Sequence, residues 1–400
     1  MIDAGIFLAV VAASFAVATI LARALKLLGL SLPDESRRIG CIDGLRGYLA
    51  LGVCAYHFAR WLQFMNNGGQ WVPLPGSLLN SLGPGAVALF FMVTGCVFYP
   101  QILRGARVRW VPLYIGRLFR IYPLVLVSIA LIALIIVART AATGTVTFAA
   151  APFVRWLTFW DQPPLLGYDG APLLNAKVLW SLWYELLFYT LVLPACILAR
   201  QALADRGPTW VIPAGLLVGS LVLRHSPWTV PLVTYLPLFA IGMLAFELRE
   251  RRWARSLAAS PACTVVALIS LLLAMLQAVP YAPISMILYG LFFVAIACGN
   301  DLWGTLRTSG AIALGECSFG IYLLHGIVLD VAFVDVGVAA ILPVGARLIA
   351  LPILIVITVL VATCAYALIE RPGIRAGRKL AALLSDNRMR PRDQAIEVAP

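Results

Sequence analysis

Apolar residues in this chain fall in long runs, with polar residues gathered in the short stretches between them. About 17–25 apolar residues are needed to cross ~30 Å of hydrocarbon as a helix. Eleven runs serve, at roughly 4–22, 41–62, 83–103, 121–140, 177–199, 209–224, 228–247, 262–279, 281–299, 311–333 and 347–369. The sixth is short and contains Pro213. The longest connection, about 141–176, is too short to hold a soluble domain. The pattern predicts an all-α polytopic membrane protein with about eleven transmembrane helices. At the N-terminus an apolar run from Ile6 to Leu21 precedes Arg23 and Lys26. A signal peptide has the opposite charge order, so the first run reads as a retained helix with its N-terminus outside.

Composition agrees with a lipid environment. The chain is 62% apolar and 12% charged, with mean hydropathy +0.94; soluble domains carry roughly 45–50% and about 25%. A cytosolic enzyme, a secreted disulfide scaffold and a disordered tail protein are excluded. The formal charge of +12 becomes a topology signal once the cations are assigned to alternating sides. Arg23, Lys26, Arg37, Arg38, Arg104, Arg107, Arg109, Arg117, Arg120, Arg200, Arg206, Arg249, Arg251, Arg252, Arg255, Arg307 and the cations from Arg371 onward share one side, 23 in all. Arg60, Arg139, Arg155, Lys177, Arg224 and Arg347 make six on the other, and Arg46 lies within a run. Cytoplasmic loops are enriched in Lys and Arg, so the C-terminus is expected in the cytoplasm. No nucleic-acid partner is expected. Trp61, Trp71, Trp156, Trp160, Trp228 and Trp303 lie near run ends and suit an aromatic belt. The eight cysteines have no C-x-x-C spacing and read as small buried hydrophobes, with neither metal nor disulfide. Ile374–Leu384 reads as a short basic helix on the cytoplasmic surface.

Ionisable residues inside a run cost at least ~2.5–3.5 kcal/mol on insertion scales and so ask for a reason. In the second run Asp43 and Arg46 are three apart, on one helical face, and can neutralise each other. His57 follows eleven residues after Arg46, about 16 Å along a helix, in the outer half. The fifth run carries Trp180-Ser181-Leu182-Trp183-Tyr184-Glu185 and brings Glu185 to a similar depth. A neutral histidine and a carboxylate at one depth can form a base and its orienting partner. Ser318, Tyr322 and His325 share a face of the tenth run, while His225 lies in a short outer turn and is expected to be silent. Arg117 and Arg120, in the inner loop before the fourth run, could fork onto phosphates, although basic residues there also satisfy topology alone.

Six segments in order resemble the membrane acyltransferase-3 family. They are Ile42-Asp43-Gly44-Leu45-Arg46-Gly47 with His57; Leu89 to Gly95; Arg117-Leu118-Phe119-Arg120-Ile121-Tyr122-Pro123; Trp180-Ser181-Leu182 with Glu185; Leu314-Gly315 through His325; and Glu370-Arg371-Pro372. Thr94 stands where that family usually has Ser, and Trp183-Tyr184 where small or polar residues are common. The resemblance implies a ten-helix core over 40–372, an extra helix and cytoplasmic linker in 1–39, and a basic cytoplasmic tail in 373–400. It implies acyl-CoA as donor substrate without metal or prosthetic group, and O-acyl transfer, acetyl or succinyl, to a glycan or lipid-linked saccharide. The implied setting is the bacterial inner membrane, alongside enzymes of exopolysaccharide or envelope biosynthesis. On this reading Arg117 and Arg120 hold the CoA phosphates with Tyr122 nearby, and Arg46, braced by Asp43, guides the donor. His57 is the general base oriented by Glu185, and Trp180, Ser181, Ser318, Tyr322 and His325 line the acceptor side or cavity. Direct transfer and an acyl-histidine intermediate both stay open. The competing class is a transporter or flippase for a lipid-linked glycan, which also places charges at mid-membrane.

Overall fold

The computed structural model describes residues 3–28, 40–141, 144, 146–203, 207–227 and 230–386. The cations Arg37, Arg38, Arg206, Arg388, Arg390 and Arg392 and the belt candidate Trp228 lie outside the described residues. What is described is helical, with one isolated bridge between Leu165 and Tyr168. The principal helices are α1 (Ala4–Leu27), α2 (Gly40–Asn66), α3 (Leu82–Leu103), α4 (Trp110–Thr140), α5 (Leu179–Ala202), α6 (Val211–Leu223) and α7 (Pro231–Arg249). They continue as α8 (Pro261–Met275), α9 (Pro283–Ala297), α10 (Ser309–Glu316), α11 (Ser318–Asp335), α12 (Ala350–Ala365) and α13 (Arg371–Asp386). Among the described residues seven helices are long and apolar enough to cross a bilayer, or eight if Arg252–Ala258 and α8, bent by 78°, form one span. The protein is an all-α polytopic membrane protein. In lipid only helices and closed barrels satisfy every backbone group internally.

Each apolar run of the sequence falls on helix, with instructive differences. The fourth run is only the apolar part of α4, which begins at Trp110, so Arg117 and Arg120 are on a helix and not in a loop. Arginine is a good helix former, and hydropathy cannot see a helix continue into basic residues. The tenth run is two helices, α10 and α11, divided at Cys317. Three helices contain π-helical turns, Phe188–Val192, Val331–Asp335 and Tyr366–Glu370; the last two carry a carboxylate, and the first begins three residues after Glu185. Such turns often mark functional sites.

Helix α2 runs through the interior, packed against α3, α10 and α11. Helices α3 and α7 approach through a reciprocal glycine pair. A Cβ on Gly95 would lie 2.1 Å from the Phe239 carbonyl oxygen, and one on Gly242 2.0 Å from that of Met92. Backbones this close are the usual route to van der Waals contact between helices in lipid. Helix α13 docks on the basic end of α4, where Gly373 and Gly377 meet Phe119. The described part of the 141–176 connection packs on α4, α5 and α11 through Trp156, Phe159, Leu165 and Leu174. Its Trp156 is fully buried and donates from Nε1 to the Pro163 carbonyl at 2.9 Å. Trp61 is buried too. These two are packing residues, not belt residues, because nearness to a run end does not say which way a ring faces. Trp160 and Trp303 are exposed.

Candidate active site

Helices α2, α3, α4, α5 and α11 enclose a cavity of about 190 Å³. At one end are Arg46, Arg117 and Arg120, from α2 and consecutive turns of α4. Arg46 is held by Asp43 at 3.3 Å, as the three-residue spacing predicts. The Arg117 guanidinium lies over the Phe98 ring, 4.9 Å from its centroid, a cation–π contact. Along the wall, Glu185 accepts from Thr94 Oγ1 at 3.3 Å and from the Tyr189 hydroxyl. Tyr189 is on the π-helical turn that follows Glu185. Beyond, Ser181 Oγ and the Tyr322 hydroxyl are 2.7 Å apart, and Tyr322 also donates to the Val178 carbonyl at 3.1 Å. Ser318 Oγ donates to the Gly315 carbonyl at 2.8 Å.

One turn beyond Tyr322 is His325, which is fully buried. Its Nε2 is 2.8 Å from His57 Nδ1, and its Nδ1 is 3.0 Å from the Ile321 carbonyl oxygen. These contacts settle the tautomers. A carbonyl only accepts, so His325 Nδ1 carries its proton; in the neutral ring Nε2 then accepts. His57 must therefore donate from Nδ1, which leaves the lone pair on His57 Nε2. The His57 ring is also stacked near Trp71, at 6.3 Å and 15°, and edge-on to Tyr56.

Two sequence expectations are corrected. Glu185 does not bond His57: it bonds Thr94 and Tyr189, and the hydrogen-bond partner of His57 is His325. The matched depth fails as well: Ser181 meets Tyr322, α5 and α11 run in opposite directions, and so Glu185 lies about a turn to one side of that level while His325 and His57 lie about a turn to the other. Tyr122 does not line the arginine end; its ring packs on Phe159 at 5.7 Å, on the far side of α4. Trp180 is 36% exposed, against Phe91 and Tyr235. His225 is exposed in its turn.

Residues 39–369 match the family model described as an acyltransferase domain, Acyl_transf_3. The chain belongs to the acyltransferase-3 family. It is 25% identical over 325 residues to "Acyltransferase MdmB" of Streptomyces mycarofaciens, covering 74% of this chain and 81% of that protein. No solved structure matches. The protein is a membrane acyltransferase, and the acyltransferase-3 segments now divide into chemistry and packing. In the first, Arg46 lines the cavity end and Asp43 holds it, while Gly44 and Gly47 allow contact with Leu306 and Leu314. In the second, Thr94 bonds Glu185 and Gly95 meets α7.

Some groups were missed. Tyr189 lies one turn after Glu185, a spacing that could have signalled it. Glu370 was noted in its motif without a role. It is 1% exposed, neither carboxylate oxygen has a hydrogen-bond partner, and Arg120 and Arg46 are the charges acting on it. Arg139, counted as a loop cation, is bound by Asp330 and by Asp335, the latter through Nε at 3.0 Å.

Proposed function

We propose that the protein transfers an acyl group, acetyl or succinyl, from cytoplasmic acyl-CoA to a hydroxyl of a glycan or lipid-linked saccharide on the far side of the bacterial inner membrane. The observation that carries this reading is a cavity with three arginines at one end and, at the other, Tyr322 one turn from a hydrogen-bonded histidine pair. The arginine end is assigned to the cytoplasm by the cation imbalance, with eleven spans, an outer N-terminus and an inner C-terminus. The proposed division is an N-terminal helix with its linker over 1–39, a core over 40–372 and a basic tail over 373–400.

Guanidinium groups suit phosphates through paired, charge-assisted hydrogen bonds. Arg117 and Arg120 bind the CoA phosphates, and Arg46, braced by Asp43, guides the thioester arm past Ser181 and Ser318. The acceptor hydroxyl meets His57. Its oxygen attacks the thioester carbonyl carbon as its proton passes to His57 Nε2. The tetrahedral intermediate then collapses: the C–S bond breaks, CoA leaves with the proton from His57, and the acceptor keeps the ester. His325 holds the His57 ring in the tautomer this needs, and Glu185 anchors the cavity wall through Thr94 and Tyr189.

The test uses membranes containing wild-type or His57→Ala protein, incubated with labelled acetyl-CoA or succinyl-CoA. Label should enter glycan or lipid fractions with the wild type only. Full transfer by His57→Ala would reject the assignment of the base. With no transfer from any acyl-CoA, a transporter for a lipid-linked glycan would replace the enzymatic reading.

A further inference from the structure

Of the six cations assigned to the outer side, Arg139 and Arg155 are held by aspartates. Arg224 and Arg347 donate to the Tyr281 carbonyl and the Asn66 side chain. Arg60 meets one hydroxyl, and the Lys177 side chain meets no partner among the described residues. These two are left without a carboxylate, and they border the histidine pair from opposite sides. Arg60 follows His57 on α2 by three residues, about 4.5 Å along the helix. Its guanidinium donates to the Tyr56 hydroxyl at 3.3 Å and lies over the Trp71 ring at 4.5 Å, with Nε buried and unpartnered. The same indole stacks on His57, at 6.3 Å and 15°.

Lys177 reaches the pair from the α11 side. A Cβ on Gly326, the residue after His325, would lie 2.3 Å from the Asn175 carbonyl carbon. The Val178 carbonyl accepts from Tyr322, three residues before His325. Ala176 and Lys177 are thus pinned at both ends to the turn of α11 that carries His325. Between the pins both are left-handed, with φ of 54° and 57°, which costs a residue bearing a Cβ roughly 1–2 kcal/mol. Strain of this kind clusters at ligand clamps, and here it holds a lysine whose side chain is exposed.

A bare cation at this place works against the proposed reaction. His57 becomes an imidazolium as it takes the acceptor's proton, and an unpaired guanidinium one turn away repels it. An anion lying on Arg60 removes that repulsion. We propose that Arg60 and Lys177 form the outer mouth of the site and bind a carboxylate or phosphate of the acceptor, close to the hydroxyl that His57 deprotonates. The acceptor is an anionic molecule. This deepens the acyl-transfer reading and rests on it for the role of His57. Neither cation lies in the six segments that resemble the acyltransferase-3 family.

The experiment uses the full chain in nanodiscs and two small reagents that alkylate histidine, bromoacetate and its neutral counterpart bromoacetamide. Peptide mass spectrometry reads the rate at His57. The ratio of the two rates, divided by that for free N-acetylhistidine, reports attraction of an anion whatever the acceptor. The wild type should favour bromoacetate at least about tenfold. Arg60→Gln and Lys177→Gln should each lower the ratio about three- to tenfold, the double variant further, while Arg60→Lys and Lys177→Arg keep most of it. The rate with bromoacetamide checks that each variant still presents His57. A wild-type ratio near one, a ratio unchanged in either Gln variant, or no reaction of His57 with either reagent would overturn the proposal. So would a preference present in lipid-free detergent and lost in nanodiscs containing phosphatidylglycerol, which would give the cations to a lipid headgroup. The product that wild-type membranes form from labelled acetyl-CoA should be retained by an anion-exchange resin, and a neutral product would also overturn the proposal. Absence of acyl transfer by the wild type would defeat the enzymatic reading instead, and alkylation would still report on the anion site.

Discussion

The role proposed for His57 rests on one hydrogen bond that crosses 268 residues of sequence. Replacing it with Ala should lower kcat by about 10²–10⁴, the usual contribution of a positioned acid or base. His325→Ala should leave the donor KM unchanged and lower kcat by about 10²-fold, the cost of a misplaced reacting group; both are read from initial rates with labelled acyl-CoA. Arg120→Ala should weaken donor binding roughly 10–100-fold, since hydrogen bonds to charged groups are worth ~1.5–3 kcal/mol; calorimetry with CoA measures it. The Asp43–Arg46 pair was legible in the sequence because both residues share a helix and a face. The His57–His325 bond was not, nor was the turning of Glu185 toward Thr94, because each depends on how separate helices are rotated against one another. Tyr122 shows the same limit: its motif was readable, and its direction was not.

Helices were the most legible level, since the length of an apolar run is itself the signal. The break at Cys317, the start of α4 at Trp110 and the three π-helical turns left no such trace. At this scale stability is held in close helix approaches. Gly242→Leu would drive a side chain into the Met92 carbonyl and should cost at least the ~1–3 kcal/mol of overpacking, seen as a lower Tm in detergent. Arg139 joins the end of α4 to the end of α11. Its side chain is 13% exposed and that of Asp330 3%. Arg139→Ala should cost about 3–5 kcal/mol by leaving a buried carboxylate unpaired, whereas Arg139→Met with Asp330→Leu should recover most of it.

For the whole molecule, the 23-to-six division of cations was plain in the sequence and predicts the sidedness of each loop. In a variant whose native cysteines are replaced, Arg252→Cys should react with an impermeant thiol reagent only from the cytoplasmic side, and Trp160→Cys only from outside; the reverse would invert the proposed direction of transfer. The cavity enclosed by α2, α3, α4, α5 and α11 had no sequence signal, because it is a space between helices distant along the chain. The Arg139 clasp also sets a timetable. Asp330 is 191 residues downstream, and at synthesis rates of about 5–20 residues per second the arginine waits about 10–40 s for its counter-ion. Newly inserted chains thus pass through an interval in which an unpaired cation marks them as unfinished. That interval ends only when α11 docks beside α4, which also completes the histidine pair little more than a turn away.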